Sequence, residues 1–71
     1  MQTVREFLNR AWYAQNVAVV DLYRMPENAN VLEHALFVGE NYKLPDNLAG
    51  CFVEAFDVCD NVLIIQIYGG K

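Results

Sequence analysis

Residues 51–68 read CFVEAFDVCDNVLIIQIY, and the way this stretch folds decides the architecture of the whole chain. It reads as two β-strands reversed at Asp60 and Asn61. Both residue types tolerate positive φ, which the two-residue primed hairpin turns require. Counting outward from that turn sets Cys59 opposite Val62, Val58 opposite Leu63, Phe56 opposite Ile65 and Glu54 opposite Ile67. Opposite residues share a face and successive side chains alternate. One face therefore collects Phe52, Phe56, Val58, Leu63, Ile65 and Ile67, interrupted by Glu54; the other collects Val53, Ala55, Asp57, Cys59, Val62, Ile64, Gln66 and Tyr68. The first set predicts a core face. Residues 62–68 are nearly all β-branched or aromatic, as expected of a central strand.

The remaining chain supplies what such a hairpin needs. Thr3 and Glu6 have capping-box spacing. Behind them Val4, Phe7, Leu8, Ala11 and Trp12 fall on one helical stripe, predicting a helix over residues 4–12 seated on the apolar face of the sheet. Asn16 reads as a stop, and residues 17–23 (VAVVDLY) as a buried strand. Pro26 pushes Met25 out of the helical region, which marks residues 25–30 as loop. Residues 31–38 (VLEHALFV) fit a helix or a strand; the strand is preferred, because it pairs the first strand in a hairpin. Residues 39–50 form a connection. Within it, residues 45–49 make one helical turn held by Leu44 and Leu48 and ended by Gly50 in the left-handed conformation. The expectation is a single α+β domain over residues 1–71, with one N-terminal helix packed on a four-stranded, mainly antiparallel sheet.

At 71 residues the chain buries only about 60% of its unfolded surface. A hydrophobic fraction of 55% is more than so small a core absorbs, so self-association or a partner is expected. Nine acidic against five basic residues give a net charge of −4, and no basic residue lies between Lys43 and Lys71. That disfavours direct binding to nucleic acid, which needs clustered cations. An acidic surface suits the basic groove of a nucleic-acid-binding protein instead. The N-terminus lacks the roughly 7–15-residue apolar core of a signal peptide. No run reaches the ~18 apolar residues of a membrane span. Cys51 and Cys59 would sit roughly 26 Å apart on one strand, at ~3.3 Å per residue, too far for a disulfide. Two thiols and no leader predict a cytoplasmic protein.

Catalytic chemistry has little to work with. The chain has no serine, its single threonine serves as a cap, and Cys51 or Cys59 with His34 is the one conceivable dyad. No cationic neighbour is placed to activate either thiol, and His34 reads as a structural residue on a strand. One His and two distant Cys cannot make a zinc site. Asp57 and Asp60 near Asp21 or Glu54 could at most hold a hard cation weakly. Catalytic residues, metals and cofactors are therefore expected to be none. What remains is surface. Trp12, Tyr13, Tyr23, Tyr42 and Tyr68 are of the type that dominates binding hot spots. The second sheet face is either covered by residues 39–50 or left for a partner.

In its order of TVREFL helix, strand ending in Asp, second strand, Pro-containing turn and VEAFDVCDNVLIIQI hairpin, the chain resembles small proteins encoded by phages and mobile elements of Firmicutes. It departs from them at residues 28–30, where an acidic-Gly turn is usual. Some small acidic phage proteins inhibit host defence, anti-CRISPRs among them. The resemblance implies a non-enzymatic, protein-binding inhibitor of a larger host protein. Its acidic residues Glu33, Glu40, Glu54, Asp57 and Asp60 would meet a basic groove, with Tyr42 and Tyr68 as anchors. The rival reading is a self-associating scaffold or sponge that holds a small ligand at a subunit interface.

Overall fold

The computed structural model describes residues 2–21 and 33–67. The hairpin forms as read. Strand β3 (Val53–Cys59) and strand β4 (Val62–Ile67) are joined at Asp60 and Asn61, with φ of 52° and 66°. Two consecutive positive φ values define the type I′ turn, whose twist matches that of the strands it joins. Cys59, Val58 and Phe56 lie opposite Val62, Leu63 and Ile65 as counted. Beyond Ala55 the count fails. Glu54 is inserted as a bulge, so Val53 rather than Glu54 meets Ile67. One extra residue reverses the alternation upstream of it. Val53 thereby joins the core, and Phe52, expected inside, is half exposed beside Thr3; Phe56 and Val58, also expected inside, keep their counted partners but stay more than half exposed on the edge strand.

Strand β1 (Asn16–Asp21) pairs in parallel with β4, Val17 beside Leu63 through Asp21 beside Ile67. Strand β2 (Phe37–Glu40) adds antiparallel to β1's other side, so the sheet runs β2-β1-β4-β3. It is a mixed sheet: its outer pairs are antiparallel and its central pair parallel. A parallel central strand covered on both faces reads as an unbroken apolar run. That is why residues 17–20 are all VAVV and all fully buried. Val17, Val19, Ile65 and Ile67 face the helices, with Val4, Leu8, Leu44 and Leu48 over them. Ala18, Val20 and Ile64 form a smaller core on the reverse side, against Ala35 and Val62. The connection at residues 39–50 does not cover that reverse side, because its two leucines are spent on the helix side.

The helix is shorter than its stripe predicted. Helix α1 spans Val4–Leu8 and stops there, leaving Ala11 half-buried and Trp12 exposed. Its start is the expected capping box: Thr3 N donates to Glu6 Oε1 (2.9 Å) and Glu6 N donates to Thr3 Oγ1 (3.2 Å). The hydrogen bond from the Thr3 backbone, then that involving its side chain, holds the Glu6 carboxyl below the usual glutamate range. Its stabilising contribution is complete above the ordinary glutamate pKa and fades as pH falls through the lowered folded value. Residues 33–36 are turn and irregular chain rather than strand, His34 is exposed in that turn, and β2 begins only at Phe37 and runs on to Glu40. Residues 22–32, including the expected loop, lie outside the described residues. Asn16 opens β1 rather than ending the element before it. Helix α2 (Asp46–Ala49) is the predicted helical turn, but its Gly50 is right-handed (φ −86°), not left-handed.

Strand β3 is an edge, and part of its outward backbone is met. Val53 N donates to Gln2 O and Val4 N donates to Cys51 O, so the N-terminal segment closes the edge at residues 51–53. The bulge at Glu54 interrupts it next. In a two-residue hairpin the residues flanking the turn exchange both bonds, so Val58 and Phe56 turn their backbone groups outward. Val58 N is met by the Asp57 carboxylate at 2.8 Å. These are the devices by which exposed edges avoid pairing with other chains.

Two measurements follow from this layout. In denaturant unfolding, Ile65→Ala is expected to cost about 2–5 kcal/mol. Phe52→Ala and Val58→Ala, truncating side chains more than half exposed, should each fall within about 1 kcal/mol; a loss at Phe52 equal to that at Ile65 would contradict the bulged register, and an equal loss at Val58 would contradict its exposure. In light scattering, Asp57→Ala frees the Val58 N–H and should raise the mean particle mass above that of the parent, whereas Asp57→Asn, which keeps an acceptor, should not. Unchanged mass for the alanine variant would show that the carboxylate does not guard the edge.

Candidate docking site at one end of the sheet

Because β1 and β4 are parallel, both start at the same end of the sheet, and β2 and β3 finish there. Glu40, Asn16, Val62 and Cys59 stand in one row across it, spanning roughly 14 Å at ~4.8 Å per strand. Gln15 closes this end by donating through Nε2 to Asn61 O (2.9 Å) and Asn16 O (3.1 Å). Above the row lie the loop of residues 9–15 and a 3₁₀ turn, Asn41–Lys43.

Asn41 organises both. It is 4% exposed, and its Nδ2 donates to Leu8 O and to Trp12 O, each at 3.2 Å. Its backbone N donates to Gln15 O (2.8 Å), and Tyr42 N donates to Tyr13 O (3.0 Å). The amide thus shares the Leu8 carbonyl with Ala11 N and the Trp12 carbonyl with Gln15 N, tying the loop down where α1 ends. The amide's orientation is fixed by its two acceptors: reversing it would set Oδ1 against two carbonyl oxygens. Oδ1 itself is buried without a partner.

What the clamped loop displays is aromatic. Trp12 is 67% exposed, Tyr13 65% and Tyr42 54%. The rings form a chain: Trp12 to Tyr13 at 5.5 Å, near edge-on, and Tyr13 to Tyr42 at 6.0 Å, tilted. Lys43 Nζ sits 5.6 Å from the Tyr42 ring and 3.5 Å from Glu40 Oε1, and Tyr42 OH donates to the same oxygen at 3.2 Å. Below the rings Arg5, Leu8, Asn9, Ala11, Asn41 and the two tyrosines line a shallow cleft of about 200 Å³.

The residues predicted as one binding surface are not brought together. Glu40, Tyr42 and Asp60 share the strand-end face described above. Asp57 lies along β3 with its carboxylate committed to Val58, and Glu54 sits at the bulge, about five residues (roughly 16 Å) from this end. Glu33 occupies the turn ahead of β2 and Tyr68 lies outside the described residues. Asp21 is at the far end of β1 from Asp60, so those carboxylates do not gather either. Among the described residues no group of three His, Cys, Asp or Glu could hold a metal ion, and no helix is long and apolar enough to cross a membrane. The Cys59 thiol lies 3.9 Å from Asp60 Oδ2 on the β3 edge, while His34 precedes the opposite edge strand, so the conceivable dyad is not assembled. Cys59 ends β3 and Cys51 lies two residues before its start, and the two form no disulfide.

Sequence reasoning missed Asn41, Arg5 and Asn9. A lone buried amide follows no period, and its partners are 29 and 33 residues away. In unfolding measurements Asn41→Ala removes two hydrogen bonds while the Leu8 and Trp12 carbonyls keep their backbone donors, Ala11 N and Gln15 N, and should cost about 1–3 kcal/mol. Loss of the Trp12 fluorescence environment ahead of global unfolding would confirm that the amide holds the loop; coincident transitions at parental stability would refute it. No protein-family model, curated protein or solved structure matches the chain.

Proposed function

We propose that this chain is a non-enzymatic protein-binding module that docks through the Trp12, Tyr13 and Tyr42 patch onto a larger protein and inhibits it. The observation that carries the reading is the patch itself. Three large aromatic side chains stand more than half exposed, in ring contact, on a loop tied to the core by a buried amide. Solvent-exposed aromatic clusters of this kind are enriched at binding hot spots. Holding them rigid lowers the ordering cost of association. Glu40 borders the patch through its bond to Tyr42, and Asp60 lies at the same end of the sheet, so a partner with basic groups around an apolar centre fits it best.

The narrower reading follows the resemblance noted in the sequence: a phage or mobile-element protein acting in the host cytoplasm on a nucleic-acid-binding effector, with CRISPR nucleases the first candidates. It assigns less to charge than the sequence alone suggested, since Glu40 is already paired with Lys43 and Asp57 with its own strand. Titration against purified CRISPR nucleases is the test. Trp12→Ala and Tyr42→Ala should weaken binding and inhibition at least about tenfold, the loss of roughly one hot-spot contact. Glu54→Lys should change them little. Full affinity in both aromatic variants would remove the patch from the interface, and the absence of binding across the nucleases would remove the proposed target class.

A further inference from the structure

The cleft beneath the aromatic patch is charged against the grain of the molecule. The chain carries −4 overall, yet no Asp or Glu is among the residues lining this cleft, and Arg5 is its one ionised side chain. Arg5, Leu8 and Asn9 are spaced i, i+3 and i+4, so the Arg5 side of α1 faces the opening. The nearest carboxylates in sequence are occupied: Glu6 by the Thr3 backbone, Glu40 by Lys43 and Tyr42. Arg5 makes no ion pair with any described residue. A guanidinium left unpaired at the wall of a cleft is a ready bidentate partner for a carboxylate.

The floor adds a second requirement. Asn41 lines the cleft, is more than nine-tenths buried, and its Oδ1 accepts no hydrogen bond. A buried acceptor without a donor is unfavourable and calls for an N–H or O–H. The complementary ligand therefore carries an anion for Arg5 and a donor for Asn41 on a body small enough for about 200 Å³. That volume is below the ~300 Å³ at which drug-sized sites begin. A phosphate monoester is mostly a dianion near neutral pH and brings no hydrogen of its own to donate, and a free amino acid would bring an ammonium towards Arg5. A peptide's last residue offers an amide N–H and a carboxylate two bonds apart, with no added positive charge.

We propose that this cleft captures the C-terminal carboxylate of a peptide or protein chain, with the carboxylate on Arg5, the last amide N–H directed to Asn41 Oδ1, and the flanking chain against Tyr13 and Tyr42. Oδ1 is shut off from solvent in the unliganded chain, so binding requires the floor of the cleft to part. The cleft shares Tyr13 and Tyr42 with the aromatic patch, but its ligand does not depend on which protein that patch engages.

N-acetylglycine, the smallest molecule with both groups, is the probe, followed by NMR on the full chain. With about eight heavy atoms it should bind in the millimolar range, shifting the Asn41 side-chain amide, the Ala11 amide and the Arg5 Nε–H saturably. Binding should weaken about tenfold or more for N-acetylglycinamide, which lacks the carboxylate, and for N-acetylsarcosine, which lacks the N–H. Arg5→Gln, a surface change between two good helix formers, should abolish it while leaving the rest of the amide spectrum in place. Absence of saturable shifts, or equal binding by the glycinamide, the sarcosine or the Arg5→Gln variant, overturns the proposal. Equal or tighter binding of free glycine would also overturn it, replacing the chain terminus with a free amino acid as ligand.

Discussion

The parallel pairing of β1 with β4 is the constraint from which the rest of the molecule follows. It places two apolar strands side by side at the centre of the sheet, so Val17, Val19, Ile65 and Ile67 present one continuous floor to the helices. It also forces Ala18, Val20 and Ile64 into a second layer behind. Because the two strands start together, each antiparallel neighbour must finish where they begin. The Asp60 and Asn61 turn, the end of β2 and the loop after α1 therefore meet at one end of the sheet. A pair of antiparallel central strands would have separated them.

The sequence is most informative where one local rule acts alone. The type I′ turn, the capping box, the buried run at residues 17–20 and the leucines that pin α2 are each readable within a few residues. It is least informative where a distant group decides. The stripe through Ala11 and Trp12 is a sound helical signal, yet the helix ends at Leu8, whose carbonyl is shared between Ala11 N and an amide 33 residues away. The bulge at Glu54 is invisible to period-2 counting, and it exchanges the fates of Phe52 and Val53. Of the acidic residues expected to face a partner, Glu54 sits at that bulge and the Asp57 carboxylate accepts from the Val58 N–H.

A small chain with this many apolar side chains has a problem of unwanted association as well as one of stability. The edge of β3 illustrates how the two are kept apart. Phe56 and Val58 remain more than half exposed, and Phe56 rests its ring against Phe7 at 5.0 Å rather than entering the core. Sheet growth is discouraged by covering backbone groups, not by removing the apolar side chains: a bridge from residues 2–4, one bulge and one carboxylate suffice. The opposite edge is handled by brevity, β2 being only four residues long.

The aromatic patch is a different kind of exposure, and the contrast argues for its use. Phe52, Phe56 and Val58 are spread along a strand and fall on both sides of it, as leftovers of a narrow core would. Trp12, Tyr13 and Tyr42 come from two separate segments and converge in ring contact, each carrying a polar atom suited to a wet rim. Bringing them together required a polar amide in the interior, with one of its atoms left unsatisfied. A hydrophobic side chain at position 41 would pack that interior without such a penalty but would let the loop go. An arrangement that gives up stability to fix the position of exposed rings is better explained by what the rings touch than by the fold they sit on.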